Sequence, residues 1–330
     1  MPSRKKYTMK SDLIQGILDA ELSPLSKKSY LSKIRKMLQE TNKSLFYILT
    51  HPPFFIQWIR EWSEAPATQK SFIAAILAVF RHNEGMKTQE SKAYTEWFTV
   101  FSEINTEIDD RYKRNEPSDR QKEGFVAYPE IVAMRDTLKR GSDDRLLLSF
   151  YTYLPPLRCD FNRMRIYERA PPPSGANGGN GGKGGATELN YLVLPPVGPN
   201  AGAEAILVLG EFKTRNHRKD PFQKALPAEL IQELRASLEA HPRVWVFTDR
   251  NGDPYSAASY TKWANRVLLK LFERPLTISL IRHSFINTLD FNKLTVADKE
   301  AIAKDMAHTV EMQDKYRLIF KTEDHKNAPE

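Results

Sequence analysis

Apolar positions in the first third of the chain recur every three or four residues. In SPLSKKSYLSKIRKMLQET, Tyr30, Leu31, Ile34 and Leu38 share one side of a 3.6-residue period, basic residues fall opposite, and a serine stands where it can cap the start. Similar helical stretches follow at PPFFIQWIREW, TQKSFIAAILAVFRHN and ESKAYTEWFTVFSEINTEI, with almost no strand-like alternation among them. Phe54, Phe55, Trp58 and Trp62 have helical spacing, which predicts core packing rather than a platform for base stacking. The charged run DDRYKRNEPSDRQKEG contains Pro117 and ends at Gly124; apolar burial stops there, and a linker is expected over residues 112–124.

Beyond that run the pattern changes. YPEIVAMRDTLKRG and SDDRLLLSFYTYL read as helices, whereas RMRIYE, ELNYLVL and AILVLGEF are short, rich in β-branched, aromatic or leucine residues, and bounded by turn formers. They predict strands of one small antiparallel sheet. Between the first two lies APPPSGANGGNGGKGGA, a Gly-rich insertion at about residues 170–187 that lacks the GxxxxGKS or GxxxxGKT form of a phosphate loop and is expected to be flexible. Further helices are expected at PAELIQELRASLEAH, SAASYTKWANRVLLKLF, TISLIRHSFINTL, VADKEAIAKDMA and EMQDKYRLIF, with a short apolar piece, VWVFTD, before the turn RNGDP. The expected fold class is α+β: an all-helical domain over 1–118, then a mainly helical domain with a small sheet over 119–330.

Composition narrows the functional classes. A chain of 330 residues with 41% hydrophobic and 27% charged positions can bury a sizeable core, which excludes wholesale disorder and agrees with two domains. Its one cysteine, Cys159, excludes an internal disulfide and a multi-thiolate metal site, and fits a reducing compartment. No run of eighteen apolar residues is present, and MPSRKKYTMK has no apolar signal core, so the expectation is a soluble, intracellular protein without a membrane span. The 49 Lys+Arg against 41 Asp+Glu leave a formal charge of +8, which favours a polyanionic partner.

Four separated stretches carry candidate chemistry: LPPLRCDF, GEFKTRNH, LIRHSF and DMAHTVEMQDKYRL. They present Arg158, Lys213, Arg282, His308 and Tyr316 in that order, each an ordinary surface residue if taken singly. As an ordered series they resemble the tyrosine recombinases, also called phage-integrase-like recombinases. That family has a helical core-binding domain before a catalytic domain with a first arginine, a hairpin lysine, a His/Lys-x-x-Arg box, a second histidine or tryptophan, and a nucleophilic tyrosine. LPPLRCDF and KTRNH look most like the divergent recombinases of eukaryotic mobile elements, the Crypton group among them, and of large DNA viruses.

The chemistry requires such groups. A phosphodiester cleaves very slowly, and attack by a side-chain oxygen builds charge on the nonbridging oxygens while the leaving oxygen needs a proton. Arginine offers a planar fork that stays charged, so Arg158 and Arg282 are the expected phosphate clamps. The resemblance makes Lys213 the general acid, with Lys219 and Lys224 as nearby competitors and a solvated hairpin lysine as the plain reading. It makes Tyr316 the nucleophile of a 3′-phosphotyrosine that conserves the bond energy without ATP, metal or other cofactor; the plain reading is an aromatic packed beside Leu318 and Ile319. His308, eight residues before Tyr316, would hydrogen-bond a nonbridging oxygen, or else cap a helix end; its partner is Ala307 where the family has glycine.

The box departs from the family, because Ser279 stands three residues before Arg282 and cannot act as an imidazole or ammonium would. His283 is a possible substitute, although adjacent helical residues point about 100° apart, which favours packing. Asp160 is expected to orient the arginines from behind, or to be a surface aspartate. A Cys159–His283 nucleophile pair lacks any orienting acid motif. The basic residues Lys27, Lys28, Lys33, Arg35 and Lys36, with Arg4, Lys5 and Lys6 ahead of them, are candidate phosphate contacts or an ordinary solvated face.

The resemblance implies a site-specific recombinase or integrase acting on double-stranded DNA as a homotetramer on two sites, with strand exchange through a Holliday junction and a tail after Tyr316 able to dock on a neighbour. Relaxation in the manner of type IB topoisomerases and a non-catalytic DNA-binding descendant are the alternatives.

Overall fold

The structure is a computed structural model and describes residues 12–158, 160–171, 190–196, 204–210 and 221–321. The chain divides into two compact units, one ending at Arg114 and the other beginning at Asn115.

The first unit is all helix: α1 (Asp12–Asp19), α2 (Pro24–Thr41), α3 (Leu45–Thr50), α4 (Pro52–Trp62), α5 (Pro66–Arg81), α6 (Met86–Gln89) and α7 (Ser91–Lys113). Local chemistry sets several starts. The Ser23 side chain accepts from the backbone N–H of Ser26, Ser44 accepts from that of Tyr47, and α2, α4 and α5 carry proline in their first turn, where a missing N–H costs nothing. α5 is the hub because FIAAILAVF is apolar on every face, and all but Ala74 of that run is buried. Trp97 of α7 is fully buried and donates its indole N–H to the Leu49 carbonyl at 3.0 Å. Of the four aromatics expected in this core, Phe55 is buried and Trp58 half-buried against Phe72, whereas Phe54 and Trp62 are exposed.

The second unit begins with α8 (Asp119–Gly124), α9 (Tyr128–Thr137) and α10 (Asp143–Thr152), passes through four strands, and closes with α11 (Ala228–Ala240), α12 (Ala257–Phe272), α13 (Ile278–Ile286), α14 (Val296–Asp305) and α15 (Val310–Tyr316). The strands β1 (Arg165–Tyr167), β2 (Tyr191–Val193), β3 (Ile206–Leu209) and β4 (Phe222–Ala225) lie side by side in chain order. β2–β3 and β3–β4 are antiparallel, but Ile166 pairs with Leu192 in a parallel ladder, so the sheet is mixed rather than antiparallel. The physical reason is connection length: the chain between β1 and β2 is long enough to return and re-enter in the same direction, which a hairpin cannot do. The Gly-rich insertion falls in that connection, on residues outside those described. β4, in PFQKAL, has too little alternation to announce itself.

The region expected as a linker is only partly one. α7 runs to Lys113, and α8 is an ordered helix within the second unit. Gly124 is buried there, and a Cβ on it would stand 2.6 Å from the Pro275 carbonyl oxygen and 2.8 Å from Leu280 Cδ1. The last helix is shorter than the pattern EMQDKYRLIF implies, for α15 ends at Tyr316. Beyond it, Leu318 exchanges two hydrogen bonds with the Asn287 side chain, Ile319 donates to the Asn115 carbonyl, and Phe320 packs on Phe125. The tail to Lys321 thus docks on its own unit.

Gly124→Ala should destabilise the protein by about 1–3 kcal/mol, since backbone at Pro275 must move to admit the methyl group; urea unfolding measures it, and an unchanged midpoint would mean that α8 is not seated as described.

Candidate active site

The site is assembled from three chain segments that meet at the end of α15. Arg158 follows α10 in a coil containing Pro155 and Pro156. Its backbone is held twice: Tyr151 donates its hydroxyl to the Arg158 carbonyl at 2.9 Å, and Asp160 Oδ2 accepts the Arg158 N–H at 3.2 Å. So supported, Arg158 Nη2 donates to the Tyr316 hydroxyl oxygen at 3.3 Å. Asp160 thereby reaches the arginine through its backbone. Burial pushes the Asp160 carboxyl up, against the opposing pull of the Arg158 and Arg282 charges and of the backbone N–H groups.

Arg282 lies on α13, a short helix buried on almost every side and capped by Thr277, whose hydroxyl accepts from the Leu280 N–H. The residue is 1% exposed. Its guanidinium donates to the Pro156 carbonyl and, through both Nη atoms at 3.3 Å, to the Met306 carbonyl, while its carbon lies 4.8 Å from the centre of the Tyr316 ring. Burial draws its pKa down and the like charge of Arg158 adds to this, opposed by Tyr316 and Asp160.

His308 is aimed by the end of α14. The His308 N–H reaches the Ala303 carbonyl and the Ala307 N–H that of Lys304, the paired bonds of a helix stop that requires a left-handed residue between. That residue is Ala307, at φ 52°, a conformation glycine adopts freely and alanine at a cost of about 1–2 kcal/mol. His308 Nδ1 faces the Thr309 carbonyl at 2.8 Å, its Nε2 lies 3.4 Å from the Met306 sulfur, and its ring centre is 5.5 Å from that of Tyr316. Tyr316 itself is 7% exposed and packs with Ile286 and Met306. Its ring belongs to a small core with Ile286 and Met306, and its hydroxyl oxygen accepts from Arg158.

His283 works from the other side. Its Nδ1 is 2.6 Å from the Tyr316 carbonyl oxygen, and because a carbonyl only accepts, Nδ1 carries the proton. Burial holds this imidazole neutral, with its pKa lowered to about 4, so Nε2 accepts; its donor is the Gln121 amide at 3.3 Å. Gln121 is oriented in turn because its Oε1 accepts from the Ser118 N–H and hydroxyl at 2.9 and 3.0 Å. Both ring nitrogens are therefore committed, and His283 anchors the Tyr316 backbone. Sequence reading passed over Gln121, although Ser118-Asp119-Arg120-Gln121 has the form of a helix-start capping box.

Arg158, Arg282, Ser279 and Tyr316 line one cavity of about 230 Å³, together with Thr261, Asn265, Thr277 and Ile278. Lys213 and Cys159 lie outside the described residues. Lys224, the alternative lysine, is ion-paired with Asp305. Among the basic residues of α2, Lys27 donates to the Leu18 carbonyl, Lys33 lies over the Phe72 ring, and Lys36 pairs with Glu40. Lys28 and Arg35 are exposed and, seven residues apart, share a helix face.

No family model matches the chain, and no curated protein matches it. Among solved structures, the crystal structure of XerA recombinase aligns over 95% of this chain and 94% of its own, with 11% identity and a TM-score of 0.38. A likeness that slight decides neither family nor activity, and the functional reading rests on the residues of the cavity.

The neutral His283 ring has a sign and a window for pH dependence. The unfolded chain takes up this proton near pH 6.5 and the folded protein only near 4, so the stability it contributes is complete above about 6.5 and lost as pH falls toward 4. Between pH 7 and pH 4 the wild type should lose about 3 kcal/mol more unfolding free energy than His283→Asn, which keeps a donor near Nδ1 and does not titrate. Paired urea titrations at the two pH values measure the difference, and equal losses would contradict a buried neutral ring.

Proposed function

We propose that this protein is a DNA strand transferase of the tyrosine-recombinase type, with Tyr316 as nucleophile. The observation that carries the reading is the Arg158 guanidinium donating to the Tyr316 hydroxyl oxygen at 3.3 Å while Arg282 lies 4.8 Å beneath the same ring, all at one cavity. Two fixed cations hold the nonbridging oxygens of a phosphodiester as charge builds on them, as attack by a side-chain nucleophile needs. The Tyr316 hydroxyl oxygen attacks phosphorus and gives up its proton to water, a P–O bond forms as the bond to the 5′ oxygen breaks, and that oxygen leaves with a proton. Lys213 is the proposed donor of that proton, and His308 a further hydrogen bond to the phosphate. The 3′-phosphotyrosine has nearly the energy of the bond it replaces, so attack by a 5′ hydroxyl rejoins DNA without ATP.

In this reading the second unit is the catalytic domain and the helical first unit grips the duplex, with Lys28 and Arg35 as phosphate contacts on the exposed face of α2. Exchange between two duplexes would engage four copies of the chain.

Suicide duplexes taken from DNA flanking the encoding gene, incubated in chelator, test the proposal. Wild type should form a covalent protein–DNA adduct and Tyr316→Phe should form none while binding the same DNA with similar affinity. DNA binding without an adduct across the tiled flanks would point to a binding protein instead, and an adduct that survives Tyr316→Phe would move the nucleophile elsewhere.

A further inference from the structure

The lining of the cavity has two kinds of group. One is cationic, made by Arg158 and Arg282; the other is built from hydroxyls and one amide, those of Thr261, Asn265, Thr277 and Ser279. Most polar groups of the second kind already serve the fold. Thr261 donates its hydroxyl to the Ala257 carbonyl at 2.9 Å within α12, and the Thr277 hydroxyl caps α13. Asn265 is different. It lies one turn after Thr261 on the same face of α12, and its Oδ1 is enclosed without a hydrogen-bond partner among the described residues. Arg282 Nε is enclosed and unpartnered as well.

Asn265 Oδ1 can only accept and is enclosed, so Nδ2, which can only donate, is the end of the amide left for the cavity. The guanidiniums of Arg158 and Arg282 likewise only donate. A ligand that takes hydrogen bonds from all three is an anion with several acceptor oxygens, as a phosphodiester is.

We infer that Asn265 donates a hydrogen bond to a nonbridging oxygen of the phosphodiester held by Arg158 and Arg282, and that it fills the place which Ser279 leaves open. The inference rests on the strand-transfer reading above. An amide neither takes nor gives a proton at working pH, so Asn265 stabilises charge as it develops on the phosphate and has no part in proton transfer. A base or acid in that place would shape the pH dependence of the rate; an amide does not.

The test is single-turnover adduct formation on suicide duplexes at saturating DNA. Asn265→Ala should slow adduct formation by about 100-fold, with DNA affinity and the shape of the pH–rate profile unchanged. Asn265→Asp, similar in shape but anionic, should be slower still. Substrates with a methylphosphonate at the scissile position supply the readout that a structural role would not move. For the diastereomer lacking the contacted oxygen, wild type and Asn265→Ala should react within about threefold of each other; for the other diastereomer the gap should persist. Should Asn265→Ala fail to fold, Asn265→Leu, branched at the same atom and without the amide, carries the same comparison. A variant within about threefold of wild type on the ordinary phosphodiester, or an equal gap on both diastereomers, would overturn the role of Asn265. Absence of any wild-type adduct would instead overturn the strand-transfer reading, so the two failures are distinguishable.

Discussion

A buried guanidinium must find acceptors, and the way Arg282 finds them organises the second unit. At 1% exposure it has lost its water, and no carboxylate within ion-pair distance replaces it among the described residues. Its Nη donors go to backbone carbonyls at Pro156 and Met306. Those carbonyls belong to the coil that presents Arg158 and to the helix end that presents His308, so one side chain fixes three segments relative to one another. An interior charge that loses its partners costs several kcal/mol, which makes each of these backbone positions interdependent with the others. A helix as short as α13 cannot secure this alone, and Ile278, Ile281 and Ile286 pin it to its surroundings.

The same economy of anchoring operates on Tyr316. Its hydroxyl is addressed by Arg158, its ring by Arg282 and Ile286, and its carbonyl by His283. Because α15 ends at that residue, the carbonyl has no helical N–H ahead of it to bond, and it is available to His283. Orientation fixed before a substrate arrives removes entropy that would otherwise be lost in reaching the reactive geometry. The chain through Gln121 and Ser118 carries that fixation back to α8, which explains why a segment with a linker's composition is ordered.

What was legible in the sequence follows from periodicity and from order along the chain. α2 was legible because Tyr30, Leu31, Ile34 and Leu38 mark one face, and Ser23 caps it as the pattern suggests. The convergence of Arg158, Arg282, His308 and Tyr316 was legible only as an ordered set of residue types, since no local pattern states that they meet. The direction of β1 against β2 was not legible, because a long connection permits either sense. The end of α15 was misread because Arg317-Leu318-Ile319-Phe320 continues a helical apolar spacing, while the competing bonds come from Asn287 and Asn115, remote in sequence. His283 and Asn265 were obscure for a related reason: their meaning lies in which tertiary atoms face their polar groups.

Two guanidiniums beside one cavity create a field that the fold itself opposes only in part. Arg158 adds to the downward pull of burial on Arg282, and the buried Asp160 carboxyl opposes it. An anion that bound the folded form preferentially would stabilise it by mass action. Stability is sacrificed where the charges converge and recovered in the surrounding core of Phe150, Tyr151, Phe161, Phe247 and Tyr260, whose rings meet edge to face or tilted at 4.6–5.8 Å. That core lets the unit hold a pair of cations at fixed positions, and fixed cations are worth more to a charge developing beside them than mobile ones because they need not reorganise as it forms.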